Sequence, residues 1–368
     1  MTTITRAELV KKYRKDFPAT KSLFIRLDDI IIEIRISAGK LYRYLENYFK
    51  DFLASKQKSD ILITAHECGA VDLNINYTVK QPDPGKIKIK EEFCNLSDGK
   101  VVRKMLTGMI FAFGDGENIA IGPCTENSNQ VINFINTRFI EHKLNQGCFL
   151  GHAAGVIQHG RGLAIAGFSG MGKSTLALHL MSMGATFVSN DRVMVKESGE
   201  QVTFYGVAKQ PRINPGTALN NPDLLPIIPL EERDHFLSIS KAKLWDLEHK
   251  YDALIHECFG PEKFILRASM NALVILNWQR DESETVIKVV DPLKRKDLLP
   301  AFTKETGLFY IPDSPAKIKD QNIEDYAKLL SKTTVIEISG GVDFDMAAKI
   351  CHKFMTRGTF QPTTAKHA

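Results

Sequence analysis

Residues 167–175, Gly-Phe-Ser-Gly-Met-Gly-Lys-Ser-Thr, follow the spacing G-x-x-x-x-G-K-[ST] of a phosphate-binding loop. Few stretches of this length constrain a fold as hard. The glycines must turn the chain tightly, and the next residues must open a helix whose backbone N–H groups point at phosphate oxygens. Both flanks suit that demand. Residues 162–166, Gly-Leu-Ala-Ile-Ala, read as a short buried strand, and 174–183 is a run of good helix formers closed by Gly184. The chain is therefore expected to carry an α/β nucleotide-binding domain. Gly167, Ser169, Gly170, Met171, Gly172, Lys173, Ser174 and Thr175 would surround the phosphates of ATP. Lys173 reaches for the β- and γ-phosphates, and Ser174 offers its hydroxyl to Mg2+. Such a metal needs an acidic partner, and Asp191, just past the predicted strand 185–190, is placed to supply it.

At 368 residues the chain has room for two domains. An apolar share of 43% and a charged share of 25% are those of a soluble globular protein. The net charge of +5 suits an anionic ligand, but no basic stripe is interleaved with aromatics, so nucleic acid is not an expected partner. No apolar run approaches a membrane span, and the N-terminal residues lack the regions of a secretory signal. The six cysteines are scattered without a C-x-x-C pair, which fits a reduced, cytoplasmic setting. The tripeptide His-Glu-Cys occurs twice, at His66 to Cys68 and at His256 to Cys258. Adjacent strand residues face opposite ways, so a shared metal site is not the reading taken.

Residues 1–147 read as an α+β N-terminal domain, structural or substrate-docking. A hairpin of 22–27 and 30–36 turns at Asp28 and Asp29, and an amphipathic helix follows with Leu41, Leu45, Tyr48, Phe49 and Phe52 in one stripe. Leu73, Ile75, Tyr77 and Val79 alternate as a strand, residues 82–85 turn the chain, and 86–93 alternates again. Strands are expected over 101–113 and 118–121, then a helix from about Asn127 to Leu144. Residues 148–368 form the nucleotide domain. There 201–207 is a strand, and the Pro/Asn-rich stretch 211–222 is irregular and able to touch substrate. A charged helical region spans 230–257, strands 272–278 and 285–290 pair with each other, and strand 335–338 and helix 343–357 close the chain.

The second half resembles the HPr kinase/phosphorylase family, and within it the HPr kinase-related kinase B type. The likeness rests on His152, fifteen positions before Gly167 in Gly-His-Ala-Ala-Gly-Val, on the loop itself, on Asn190 and Asp191 where the family has an acidic pair, and on Gly206 ending a strand. It covers about 148–300. The resemblance implies an HPr kinase-like, PEP carboxykinase-like fold and transfer of the γ-phosphoryl group of ATP to a hydroxyl of a protein serine or small molecule. It also implies that His152 supports the acceptor side while Asp191 and Ser174 hold magnesium. A homo-oligomer and an ATP-grasp-type partner protein are further expectations of the same kind.

Three positions depart from the family. Asn190 stands where the family has its base, Thr203 where a glutamate helps the metal, and Thr175 where a glutamate follows the loop serine. Asparagine cannot accept a proton. Either Asp191 or His152 takes that part, or no strong base is needed because phosphoryl transfer is largely dissociative. Arg192 and Arg212 are the arginines best placed to stabilise transferring charge, with Lys209 behind them. The expected catalytic set is thus His152, Asp191, Lys173 and Arg212. The alternative is a non-catalytic nucleotide-binding sensor that lost its base at Asn190. No N-K-x-D follows the loop to read guanine and no D-x-x-G switch is present, which argues against a GTPase.

Overall fold

The computed structural model describes residues 4–82, 87–240, 243, 244, 247, 249–313 and 322–360. The chain is mixed α/β and divides into two compact units. The first joins residues up to 145 with 306–313, and the second joins 146–305 with 322–360, so a single cut of the sequence does not separate them. Among the described residues no helix is long and apolar enough to cross a membrane.

The first unit is built on eight strands in the order β1-β2-β3-β8-β7-β6-β5-β4. They are β1 (Lys21–Leu27), β2 (Ile30–Ile36), β3 (Ile61–Glu67), β4 (Thr78–Val79), β5 (Glu91–Leu96), β6 (Gly99–Lys104), β7 (Ile110–Phe113) and β8 (Glu117–Gly122). β2, β3 and β8 run parallel, and the remaining pairs are antiparallel. Helix α1 (Arg6–Asp16) starts at a capping box, in which Thr5 and Glu8 satisfy each other's backbone N–H groups. Its Leu9, Val10 and Tyr13 pack on Val101, Ile110, Ile119 and Ile121. Helices α2 (Gly39–Tyr48) and α3 (Ser128–Asn145) pack on each other, and Phe134 of α3 meets Phe111 with ring centroids 4.8 Å apart.

Several expectations need correction here. The alternation of Leu73, Ile75 and Tyr77 does pack apolar side chains on the core, yet only Thr78–Val79 is a strand. Asn74, at φ 52°, interrupts the extended backbone and takes a hydrogen bond to Asp72 instead. The strand expected at 86–93 runs over Glu91–Leu96; residues 83–86, with most of the turn expected at 82–85, lie outside the described residues. The stretch 101–113 is two strands, broken at a turn that Gly108 closes with φ 67°.

The second unit holds a nine-stranded sheet. Its strands are β9 (Phe149–Gly151), β10 (Ala153–Gln158), β11 (Arg161–Gly167), β12 (Thr186–Ser189), β13 (Val193–Ser198), β14 (Gln201–Tyr205), β17 (Arg267–Gln279), β18 (Val286–Val290) and β19 (Thr334–Gly341); β15 (Arg212–Ile213) and β16 (Tyr251–Asp252) form a separate ribbon. The long β17 joins two ladders: Arg267–Ser269 pair antiparallel with β14, and Met270–Gln279 lie parallel between β11 and β19. β18 pairs with β19, which separates it from β17, so 272–278 and 285–290 are not partners. The stretch 211–222 is not irregular throughout. It contains β15 and a short helix, Pro215–Leu219, begun at Asn214 with proline in its favoured first position. The helical region expected over 230–257 is the helix Leu230–Ser238 and a single turn, Ile255–Cys258.

Gly206 sits where two strand ends cross. A Cβ there would stand 1.8 Å from the Val188 carbonyl oxygen, a backbone atom that cannot swing away. Gly206→Ala is therefore expected to cost about 2 kcal/mol or more in urea unfolding. Gly69→Ala, which meets nothing within 4 Å, should stay within about 0.5 kcal/mol. Equal stability of the two variants would contradict this packing.

Candidate active site

β11, β17 and β19 are parallel, and β12 runs the same way because both it and β11 pair antiparallel with β10. Their carboxyl ends consequently lie along one edge, the usual place for a ligand in such sheets. Gly167, Ser189, Gln279 and Gly341 end these four strands. The segments that follow them carry the phosphate-loop residues, Asn190 and Asp191, residues 280–285, and Asp343 with Phe344.

The loop has the shape that its glycines allow. Gly170 and Gly172 both adopt φ 83°, a left-handed conformation that favours glycine. Helix α4 (Lys173–Ser182) begins directly after Gly172 with no side-chain cap, which leaves its first N–H groups for an anion. Lys173 is buried and its Nζ donates to the carbonyls of Gly167 at 2.7 Å and Phe168 at 3.2 Å. Burial lowers its pKa, against the opposing charge of Asp191. Ser174 and Thr175 face an adjoining cleft, while Ser169 is exposed at the loop tip. Two residues that the sequence did not single out hold the loop from beneath. Trp278 donates from Nε1 to the Met171 carbonyl at 3.1 Å, and its ring meets Phe344 edge-on at 4.9 Å. Phe344 in turn lies so close to Gly172 that a Cβ there would come within 2.3 Å of the ring.

A charge cluster borders the loop. Asp191 Oδ1 lies 3.0 Å from Arg192 Nη1 and 3.4 Å from His152 Nε2, and Oδ2 lies 4.0 Å from Lys209 Nζ. Ala153 pairs with Ala166, which brings His152 alongside Gly167. Fully buried Ser189 fixes the turn that carries Asp191: its hydroxyl donates to the Arg192 carbonyl and accepts from Val207 N–H at 3.3 Å. No sequence motif marks Ser189; only its contacts do. Burial opposes the charge on Asp191, but Arg192, Lys209, His152 and Lys173 together outweigh it and hold the carboxyl below its usual range. Burial, aided by the Lys173 charge, pushes the His152 imidazole down to about 4. Among the described residues no hydrogen-bond partner reaches the buried Asn190 Oδ1.

The cleft measures about 950 Å3, within the size of small-molecule sites. Arg212, Asn214 and Thr217 form one wall, and residues 280–285 and 341–346 form the other. Thr175 and Thr217 share a hydrogen bond of 2.9 Å, and Asn221 bonds Ser182 at 2.9 Å, so the 214–221 segment is docked on α4. Arg212 lines the cleft and forms its ion pair with Asp252 at 3.2 Å, away from Asp191 among the described pairings. Arg192 and Lys209 are the cations at the carboxylate.

No family model and no curated protein matches the sequence. A solved structure, the Hpr(Ser) kinase/phosphatase from Coxiella burnetii, is similar over 57% of this chain and 94% of that chain, at 12% identity and a TM-score of 0.27. A likeness that loose carries no weight for fold or activity. The functional reading rests on the residues themselves.

His152 gives the first test. Its folded pKa lies below the unfolded value, so between pH 6.5 and about 4 the unfolded chain takes the proton and the folded chain does not. Stability from this group is present above pH 6.5 and lost as pH falls through about 4. Proton–nitrogen NMR of the His152 ring, assigned with His152→Gln, should show a midpoint near 4. A midpoint near 6.5 would refute the buried, cation-flanked setting.

Proposed function

We propose that the protein is an ATP-dependent phosphotransferase acting on a hydroxyl, of a protein serine or of a small molecule. The observation that carries this reading is the meeting of an anion cradle with a charged cluster. Lys173 and the uncapped N-terminus of α4 lie beside a carboxylate flanked by Arg192 and Lys209. The adjoining cleft has room for a nucleoside, with the triphosphate running over the loop toward Asp191.

On binding, phosphate oxygens would replace the Gly167 and Phe168 carbonyls as partners of Lys173. Transfer then needs the γ-phosphoryl group held in line and its spreading charge offset. Lys173, Arg192 and Lys209 supply that charge. The Ser174 hydroxyl and the ionised Asp191, whose Oδ2 lies 4.0 Å from Lys209 Nζ, fit the partial shell that Mg2+ would take from protein in such a site. Magnesium held there would supply charge to offset that of the phosphates.

General-base catalysis has little support here. Asp191 and His152 both have lowered pKa values, which makes them weak proton acceptors, and Asn190 accepts no proton. Positioning is left as the main source of rate. The same facts favour the second reading, a nucleotide-binding sensor without transfer.

One assay separates the two. The protein is incubated with Mg2+, γ-labelled ATP and fractionated host lysate or metabolite pools. The kinase reading predicts a labelled acceptor, and Lys173→Ala should lower labelling by about two to three orders of magnitude. ATP binding with no acceptor labelled in any fraction would favour the sensor. Asn190→Asp should leave turnover unchanged or lower it. A clear gain would show that a base is missing and overturn the positioning account.

A further inference from the structure

In the first unit the end of β4, the start of β5 and the turn from β6 to β7 meet at one end of the sheet. Lys80 N–H donates to the Glu91 carbonyl at 3.1 Å, and Met105 N–H donates to the Lys90 carbonyl at 3.0 Å. Within the turn, Gly108 N–H bonds the Lys104 carbonyl at 2.9 Å, which leaves Met105 and Leu106 at the apex. Residues 87–90 read Ile-Lys-Ile-Lys, an alternation that would bury one face if it lay within a strand. The strand begins only at Glu91, and all four residues are exposed.

The apolar members stand out by how far they project. Ile87 is 97% exposed, Leu106 65%, Met105 46% and Ile89 43%. A single exposed apolar side chain needs no explanation, but four from two adjoining segments make a patch that costs free energy in water. The free charge beside the patch is positive. Glu91 is held by Lys104 and by Lys80 at 3.7 Å, while Glu92 and Asp72 share Arg103. The acids nearby thus have cations of their own. Lys88 and Lys90 have no ion pair among the described residues, so their charge is uncompensated.

This combination selects the partner. A second copy docking by the same face would set Lys88 and Lys90 against their own counterparts. Nucleic acid would take the lysines but offers little to Ile87 and Leu106, and the patch presents no aromatic ring on which a base could stack. An anionic bilayer meets both demands together. Its acyl boundary takes isoleucine, leucine and methionine side chains, and its phosphates face the lysine ammonium groups. We propose that this end of the first unit docks on a bilayer surface containing anionic phospholipid, with Ile87, Ile89, Met105 and Leu106 entering the interface and Lys88 and Lys90 at the headgroups. The contact is peripheral, needs no spanning segment and draws on nothing in the phosphate loop.

The test sediments the full chain with vesicles of phosphatidylcholine, alone or mixed with phosphatidylglycerol. Binding to the mixed vesicles is expected, about tenfold or more tighter than to phosphatidylcholine alone, and it should weaken as salt rises. Ile87→Ser combined with Leu106→Ser should weaken it by about tenfold. The same pair should leave ATP binding and the urea midpoint unchanged, because both side chains are exposed. Ile87→Trp should give a blue-shifted emission on binding that brominated acyl chains quench, which reports entry of the tip itself. The proposal fails if the chain does not sediment with mixed vesicles, if both vesicle types bind equally, if the serine pair binds as tightly as the parent, or if bound Ile87→Trp is not quenched. Self-association or RNA binding that the serine pair abolishes, without vesicle binding, would likewise overturn it.

Discussion

The second unit depends on one carboxylate kept ionised in a buried place. Asp191 could not hold its charge there alone, because burial works against it. It does so because Arg192, Lys209 and Lys173 are brought around it and His152 lies 3.4 Å away. Three basic side chains against one carboxylate leave an excess of positive charge beside an uncapped helix start. That imbalance would attract a polyanion. The rest of the unit serves to fix it. Ser189 ties the Asp191 turn, Gly206 allows the strand ends to touch, and Trp278 with Phe344 supports the loop.

Much of this was legible in the sequence, because the phosphate loop imposes its own context. Strand, turn and helix around Gly167 to Ser174 appear where the spacing demands them, and His152 and Asp191 do come together. What escaped lies at longer range. Ser189, Trp278 and Phe344 act through contacts that no local pattern announces. β18 and β17 are neighbours in sequence but not in the sheet, since β19, more than forty residues beyond β18, takes the place between them. Asn74 broke an alternating strand by its backbone conformation, which composition alone does not reveal. Arg212 sits in the segment expected to touch substrate, yet it pairs with Asp252 rather than with Asp191.

The first unit shows a complementary failure of sequence reading. It offered no recognisable chemical motif, and the alternation of Ile87 and Ile89 with Lys88 and Lys90 read only as part of a strand. The strand starts at Glu91 instead, and the residues before it meet the β6–β7 turn at one end of the sheet. An alternating pattern becomes meaningful once the exposure of its apolar members is known.

The central claim is that the charge cluster recognises the terminal phosphates of a nucleotide. Calorimetric binding of ATP, ADP and AMP with magnesium tests it most directly. The account predicts that ATP and ADP bind and that AMP binds at least about a hundredfold more weakly, because each lost phosphate forfeits charge-assisted hydrogen bonds. Equal affinity for AMP and ATP would mean that the cradle beside Asp191 does not hold phosphate, and the account would be wrong.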